Sequence, residues 1–329
     1  MRTIVALSLL VLTLPACDKP KAAPPPPRPQ APELSILTSI GDTASTIEGI
    51  AQFAGQLYVC DWKDGTIYRI DPANPVPTAV GTLPTTPGTA VLGITADADG
   101  NLYFAVPDPG VVYRVAASRL GAGDFDARKD ATLFATGATG ANAMAIDTPG
   151  GHLWITGGPT GNLYYVGMQG GAVSTAATGY TAMSADTTMP VRGYLVNGIA
   201  INSQGVIYTG NTGTGEISML VVGADMTPQS ITTLVKDDRL IGADGLSVDG
   251  DDNIWVTANF QNTLARVSPR GEVTIVATST PTDGANVLRF PAEFTRVGNT
   301  IYLANLNFPI GANTGQPVKG GSVAAVTLP

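Results

Sequence analysis

The sequence predicts an all-β protein: a six-bladed β-propeller whose ring is closed by an N-terminal strand joining the last blade. Three observations predict it. The composition is rich in turn residues and poor in charge. A strand-pair motif recurs six times at near-regular spacing. The strand inventory has one member missing at the end of the chain and one spare at its start.

Of 329 residues, 44% are hydrophobic and only 13% charged, while Gly (39) and Pro (25) are both plentiful. Such a mixture reads as many short strands joined by tight turns. No stretch keeps a 3.6-residue apolar rhythm unbroken by Gly or Pro, so long helices are not expected. The formal net charge is −8 with no offsetting Lys/Arg cluster, which argues against nucleic acid or an anionic membrane surface as a partner. Acidity of this kind helps to concentrate cations. The two cysteines are Cys17 and Cys60; with Cys17 in the leader, the folded body has one thiol and no internal disulfide. Cys60 and the single His152 cannot assemble a zinc site by themselves.

Residues 1–16 read as a signal peptide of lipoprotein type. Met1-Arg2 is a short basic start, and the apolar run Ile4 to Leu14 is too short to span a bilayer. Leu14-Pro15-Ala16-Cys17 resembles a bacterial lipobox, apart from Pro15, and makes Cys17 the expected lipidation site. Residues 17–32, with Pro24-Pro25-Pro26-Pro27, form a Pro-rich linker of polyproline type, extended at about 3.1 Å per residue. The expectation is an exported, envelope-located protein, touching the membrane only through its lipid anchor.

Residues 33–329 form the propeller. Its motif is a polar or small residue, then Gly or Ala, then an apolar residue, a turn, and an apolar-aromatic pair. The copies begin at Glu48-Gly49-Ile50, Leu92-Gly93-Ile94, Asn142-Ala143-Met144, Asn197-Gly198-Ile199, Asp244-Gly245-Leu246 and Ala292-Glu293-Phe294. Positions 48, 92, 142, 197, 244 and 292 differ by 44, 50, 55, 47 and 48, periods that fit four-stranded propeller blades. Third strands follow in every copy, from Thr66 to Ile70 through Ser322 to Val326. Fourth strands, such as Ala131 to Thr136 and Glu272 to Thr278, follow in the first five. The sixth copy has none, but Glu33 to Thr38 precedes the first copy and supplies it.

In a propeller the first strand of each blade lines the central tunnel, so the six starting residues form a ring at one mouth. Glu48, Asn142, Asn197 and Asp244 place two carboxylates and two amide carbonyls there. This hard-oxygen set suits Ca²⁺ or another divalent cation, which takes six to eight oxygens. Second strands return to the same mouth, bringing Asp61, Trp62, Asn211, Asn259, Phe260 and Asn305 toward a substrate pocket. Two insertions, Met183 to Val196 and Phe308 to Lys319, are expected on this face.

The blade pattern, with Glu48-Gly49, Asn197-Gly198-Ile199 and Asp244-Gly245-Leu246, resembles the senescence marker protein/gluconolactonase (regucalcin-like) family. The ring of Glu, Asn, Asn and Asp also resembles the related paraoxonase and diisopropylfluorophosphatase propellers. The resemblance implies a divalent-cation-dependent hydrolase of lactones or esters, with Asp244 or an activated water as base or nucleophile. A monomer acting on a small molecule is expected. Gluconolactonase-like members carry an Arg two residues before the blade-three Asn; this chain has Gly140, which argues against a sugar lactone. Strand ends such as Leu57-Tyr58-Val59 also resemble NHL-type propellers. Those imply a non-enzymatic scaffold for a protein or glycan at the cell surface. A strictosidine-synthase-like propeller is a third reading. His152 is read as a solvated turn residue far from the ring.

Overall fold

In the first blade, Leu57-Tyr58-Val59-Cys60 is an unbroken apolar run, and the fold shows why. The computed structural model describes residues 30–41, 46–178, 180, 193–280 and 286–329. The signal segment, Cys17 and the Pro-rich run lie outside these residues, as does most of the 183–196 insertion. Among the described residues, strand β1 (Glu33–Ser39) comes first. Blade one is β2 (Ile47–Phe53), β3 (Gln56–Asp61), β4 (Thr66–Asp71) and β5 (Asn74–Thr82). Blade two is β6 (Ile94–Ala96), β7 (Leu102–Val106), β8 (Val111–Val115) and β9 (Ala131–Thr136). Two short helices, α1 (Ala117–Leu120) and α2 (Ala127–Asp130), separate its last two strands.

Blade three is β10 (Ala141–Asp147), β11 (His152–Gly157), β12 (Asn162–Gly167) and β14 (Ser174–Ala177); between the last two, β13 (Gly171–Ala172) adds a parallel edge to blade two. Blade four is β15 (Ile199–Ile201), β16 (Ile207–Asn211), β17 (Glu216–Val222) and β18 (Pro228–Lys236). Blade five is β19 (Ala243–Val248), β20 (Ile254–Ala258), β21 (Thr263–Val267) and β22 (Val273–Thr278). Blade six is β23 (Pro291–Val297), β24 (Thr300–Asn305) and β25 (Ser322–Thr327), completed by β1 in the order β1-β25-β24-β23. The spare strand fills the missing place, antiparallel, from Glu33 opposite Thr327 to Ser39 opposite Ser322. The architecture is the six-bladed propeller that the repeats predict.

Apolar packing is organised by blade interface. One cluster joins blades six and one through Ile47, Leu57, Val59, Ala304 and Val323. The next joins blades one and two through Tyr58, Cys60, Ile67, Ile94 and Phe104. Four further clusters fill the interfaces from blade two round to blade six. Consecutive residues of β3 therefore face different neighbours, and both faces of the sheet are buried. A sheet covered on both faces needs no polar alternation, hence the continuous apolar run. The outer strands lose it: β18 is exposed along most of its length.

Candidate functional site

The first strands of four blades carry a register shift at the same place, between Ile47 and Ile50, Ala141 and Met144, Ala243 and Leu246, and Pro291 and Phe294. A bulge re-aims the side chains around it, and here it brackets the ring position of each blade. In four blades, bulged or not, the residue after the ring position is a glycine, and it has a steric reason. A Cβ on Gly49 would meet the Leu92 carbonyl oxygen at 2.2 Å, one on Gly93 the Asn142 oxygen at 2.3 Å, and one on Gly198 the Asp244 oxygen at 1.6 Å. The backbone of each following blade passes over that glycine. Small side chains from the second strands hold carbonyls of ring-position residues on the following blade. Cys60 Sγ donates to Leu92 O (2.9 Å), Thr156 Oγ1 to Asn197 O (2.6 Å), and Thr257 Oγ1 to Ala292 O. The ring is thus set blade against blade.

Glu48, Asn142, Asn197 and Asp244 are all buried; Glu48, Asn197 and Asp244 line one cavity, and Asn142 is not among its lining residues. Asn197 donates its amide nitrogen to Thr212 Oγ1 (2.9 Å), which leaves Oδ1 without a partner. Asn259 donates to Asp244 Oδ2 (2.9 Å), again leaving its Oδ1 unpartnered. Glu48 Oε2 and Asn142 Nδ2 are also buried and unpaired. Buried polar atoms are normally satisfied, so three orphan oxygens at one mouth mark a place where a ligand's positive charge fits. Among the described residues no three His, Cys, Asp or Glu side chains gather as one metal-binding group, so any cation here relies on the amides as well.

Glu48, Trp62, Tyr194, Asn197, Thr212, Asp244 and Asn259 line a cavity of about 270 Å³, with Phe290, Leu306, Phe308 and Ile310 completing its wall. No Lys, Arg or His is among these described lining residues. The electrostatics follow. Burial pushes the Glu48 carboxyl well above its usual range, with the charges of Asp244 and Glu293 adding to the effect. Burial raises Asp244 to about 7 against the opposing pull of the Asn259 and Asn197 amides. Tyr194 is pushed to about 12 by burial and then by the charges of Glu48 and Asp244, so its ring stands beside both acids.

Glu293 is a carboxylate that the repeat register passes over. It occupies the position held by Gly or Ala in the other five copies. Its Oε2 accepts from Ile50 N (3.3 Å) and Ile94 N (3.0 Å), tying blade six across the tunnel to blades one and two. Burial raises its pKa to about 8 despite those two donors. A carboxylate replacing the repeat's glycine is the signal that singles it out. Tyr194 sits within an insertion expected on this face, and Thr212 follows Asn211; neither has a sequence signal of its own.

The other predicted pocket residues divide. Trp62 and Asn259 line the cavity. Phe260 packs behind it against Phe290, ring centroids 5.1 Å apart. The polar strand ends serve turns: Asp61 accepts from Thr46 N and Lys63 N, and Asn211 Oδ1 from Thr214 N. Asn305 Oδ1 accepts from Arg289 N while its amide donates to Val287 O. His152 lies against Tyr165, ring centroids 5.6 Å apart, and is not among the cavity's lining residues.

The apolar wall is built deliberately stiff. Trp62 meets Phe308 edge-on at 5.7 Å, and Phe308 meets Phe290 at 5.4 Å. Phe290 takes a left-handed backbone (φ 55), unusual for a bulky residue. Asn262 holds it there, accepting from Phe290 N (2.8 Å) while exchanging amide hydrogen bonds with Asn313 (2.7 and 3.0 Å). That exchange anchors the 308–319 insertion, whose Phe308 and Ile310 complete the wall.

No known family model matches the chain, and no curated protein matches it by sequence. Solved structures do. A calcium-binding protein, regucalcin, from Agrobacterium tumefaciens superposes with a TM-score of 0.62 at 14% identity, over 92% of this chain and 96% of its own. A gluconolactonase from Xanthomonas campestris gives 0.61 at 15% identity, over 91% and 90%. Virginiamycin B lyase from Staphylococcus aureus gives 0.58 at 14% identity, over 91% and 100%. The chain shares their fold. At such identities the likeness speaks for the six-bladed propeller and not for an activity.

Proposed function

We propose that this protein is a divalent-cation-dependent hydrolase of uncharged, apolar lactones or esters. The carrying observation is the set of buried, orphaned oxygens of Glu48, Asn197 and Asn259 beside Asp244, with no cationic side chain lining the cavity among the described residues. Glu48, Asn142, Asn197 and Asp244 would hold the ion, with Asn259 adjoining, and Ca²⁺ suits such a hard-oxygen set. A calcium-binding protein and a gluconolactonase among the structural neighbours agree with that reading. When bound, the ion supplies Lewis-acid polarisation of a carbonyl or phosphoryl oxygen.

The chain's own residues supply the rest. Asn259 fixes the Asp244 carboxyl by holding one of its oxygens. Asp244, held at the cavity wall, then accepts the proton of the attacking water. Trp62, Phe290, Phe308 and Ile310 seat an apolar acyl or leaving group and keep bulk water off the reacting carbon. A polyhydroxylated sugar lactone would leave its hydroxyls unpaired against this wall, and Gly140 stands where the gluconolactonase-like Arg would be. We propose further that Cys17 carries a lipid that tethers the propeller to the cell envelope.

The test is Ca²⁺ titration by calorimetry, with hydrolysis assays on phenyl acetate, an alkyl lactone and gluconolactone. One-site binding is expected, with activity on the first two substrates that disappears in the Asp244→Ala variant. Calcium should raise the melting temperature of the wild type and not of that variant, because a ligand stabilises only the state that binds it. A protein that binds no divalent cation and hydrolyses none of the three is the non-enzymatic scaffold instead.

A further inference from the structure

Beside the closing strand, with Ile36 and Ser39 in its lining, lies a second cavity of about 150 Å³. Its lining includes Arg289, Asn307 and Ser322 from blade six and its loops, Ser39 from β1, Lys319 from the insertion, and Asn286. Arg289 is only 2% exposed, and its Nε is buried without a hydrogen-bond partner. One of its terminal nitrogens donates to the Pro317 carbonyl. Among the described residues no carboxylate pairs with it; the ion pairs join Arg119, Lys129 and Arg239 to aspartates on outer loops. Burial lowers its pKa, the direction expected of a desolvated cation.

Among the described residues this guanidinium faces no anion, and a buried charge is normally paired. Several groups around the cavity suit an oxyanion. Lys319 adds a second positive charge at the exposed rim. Ser39 and Ser322 offer hydroxyl donors, one from each side of the β1–β25 seam. Asn286 Oδ1 is buried and unpaired, and a side-chain amide can equally present its nitrogen there. Asn286 and Asn307 both hold left-handed backbone conformations (φ 38 and 58) at the cavity wall.

We propose that this cavity is a binding site for a small oxyanion, a carboxylate or a phosphate, held by Arg289 and Lys319 against the serines of the closing strand and blade six. A guanidinium fork matches the paired oxygens of either group. The bound anion lies across the seam where the ring closes, so its occupancy stabilises closure. The site is separate from the acidic tunnel mouth and stands whether or not that mouth is catalytic.

The test uses the whole chain, stripped of metal, in a zwitterionic buffer low in anions. Inorganic phosphate and acetate are the probes, read by melting temperature and calorimetry. Saturable one-site binding of at least one of them is expected, with a rising melting temperature; whichever probe binds at the lower concentration separates phosphate from carboxylate. Arg289→Gln should abolish binding. Lys319→Gln, at an exposed position, should weaken it tenfold or more without changing the melting temperature in the anion-poor buffer. Asp42 and Asp283 lie outside the described residues, so Asp42→Asn and Asp283→Asn complete the set. If neither probe binds the wild type the proposal fails, and an aspartate variant that melts as low as Arg289→Gln then identifies Arg289 as an internal ion-pair partner. Binding that survives Arg289→Gln unchanged overturns it equally.

Discussion

Asp244 keeps its proton in the fold up to about pH 7, whereas the unfolded chain loses it near 3.8. Glu293 behaves alike, to about 8 against 4.5. Both acids are raised by burial, so the fold favours their protonated forms. The stability they contribute without metal is full below about pH 4 and is lost as pH rises through 7 to 8. Metal-free protein should therefore melt progressively lower from pH 5 to pH 8.5. Asp244→Asn, which removes the charge and keeps the amide partner, should flatten much of that slope and melt several degrees above the wild type at pH 8.5. Differential scanning calorimetry across this range checks it; a wild-type melting temperature that rises toward pH 8.5 would sink the idea. The repeat exposes Glu48, Asn142, Asn197 and Asp244 to a reader of the sequence because all four stand at one register position. Glu293 escapes the same reading. Its position belongs to a glycine elsewhere, and only the fold shows the carboxylate reaching two amides on other blades.

The element that sets the ring is the first strand of each blade, and the glycine at its start answers to the neighbouring blade rather than to its own. Gly198→Ala should be severely destabilising, by about 3 kcal/mol or more, because its Cβ would lie 1.6 Å from the Asp244 oxygen and backbone would have to move. Gly250→Ala serves as the control: nothing lies within 4 Å of its Cβ, and the change should stay within about 0.5 kcal/mol. Urea denaturation of both variants decides it, and equal midpoints would show that the blades do not bear on one another at this glycine. The blades are legible in the sequence because Gly-apolar starts and apolar-aromatic second strands recur, and packing against two neighbours demands both. β13 is not legible, since Gly171–Ala172 is too short to carry a pattern. The helices of blade two, four residues each, are equally silent. The aromatic wall is half legible. Trp62 and the 308–319 insertion point to it, but the Asn262–Asn313 exchange joins loops 51 residues apart and leaves no local trace.

At the scale of the whole molecule, stability depends on closing the ring, and β1 is the element that closes it. It does more than cap an edge. Leu34 packs into the cluster between blades five and six, and Leu37 into the one between blades six and one. Removing Glu33–Ser39 would uncover both interfaces and leave the backbone of β25, which is buried from Ser322 to Val326, as a free sheet edge. The loss of two half-buried leucines and a strand ladder is worth roughly 3 kcal/mol or more. At about 2–4 °C per kcal/mol for a large domain, the melting temperature should fall by on the order of 10 °C. Truncation alone could act through some other disturbance of the chain, so a permutant gives the sharper test. Glu33 lies opposite Thr327, so a short turn joining Pro329 to a transplanted copy of residues 33–39 would make β25 and the graft an ordinary hairpin in the same slot. If closure is what β1 supplies, this permutant recovers most of the melting temperature that the truncation loses, although its strand now arrives from the other end of the chain. A truncated protein that melts with the wild type would show that the ring holds without its closing strand, and a permutant no more stable than the truncation would show that the loss has a cause other than closure.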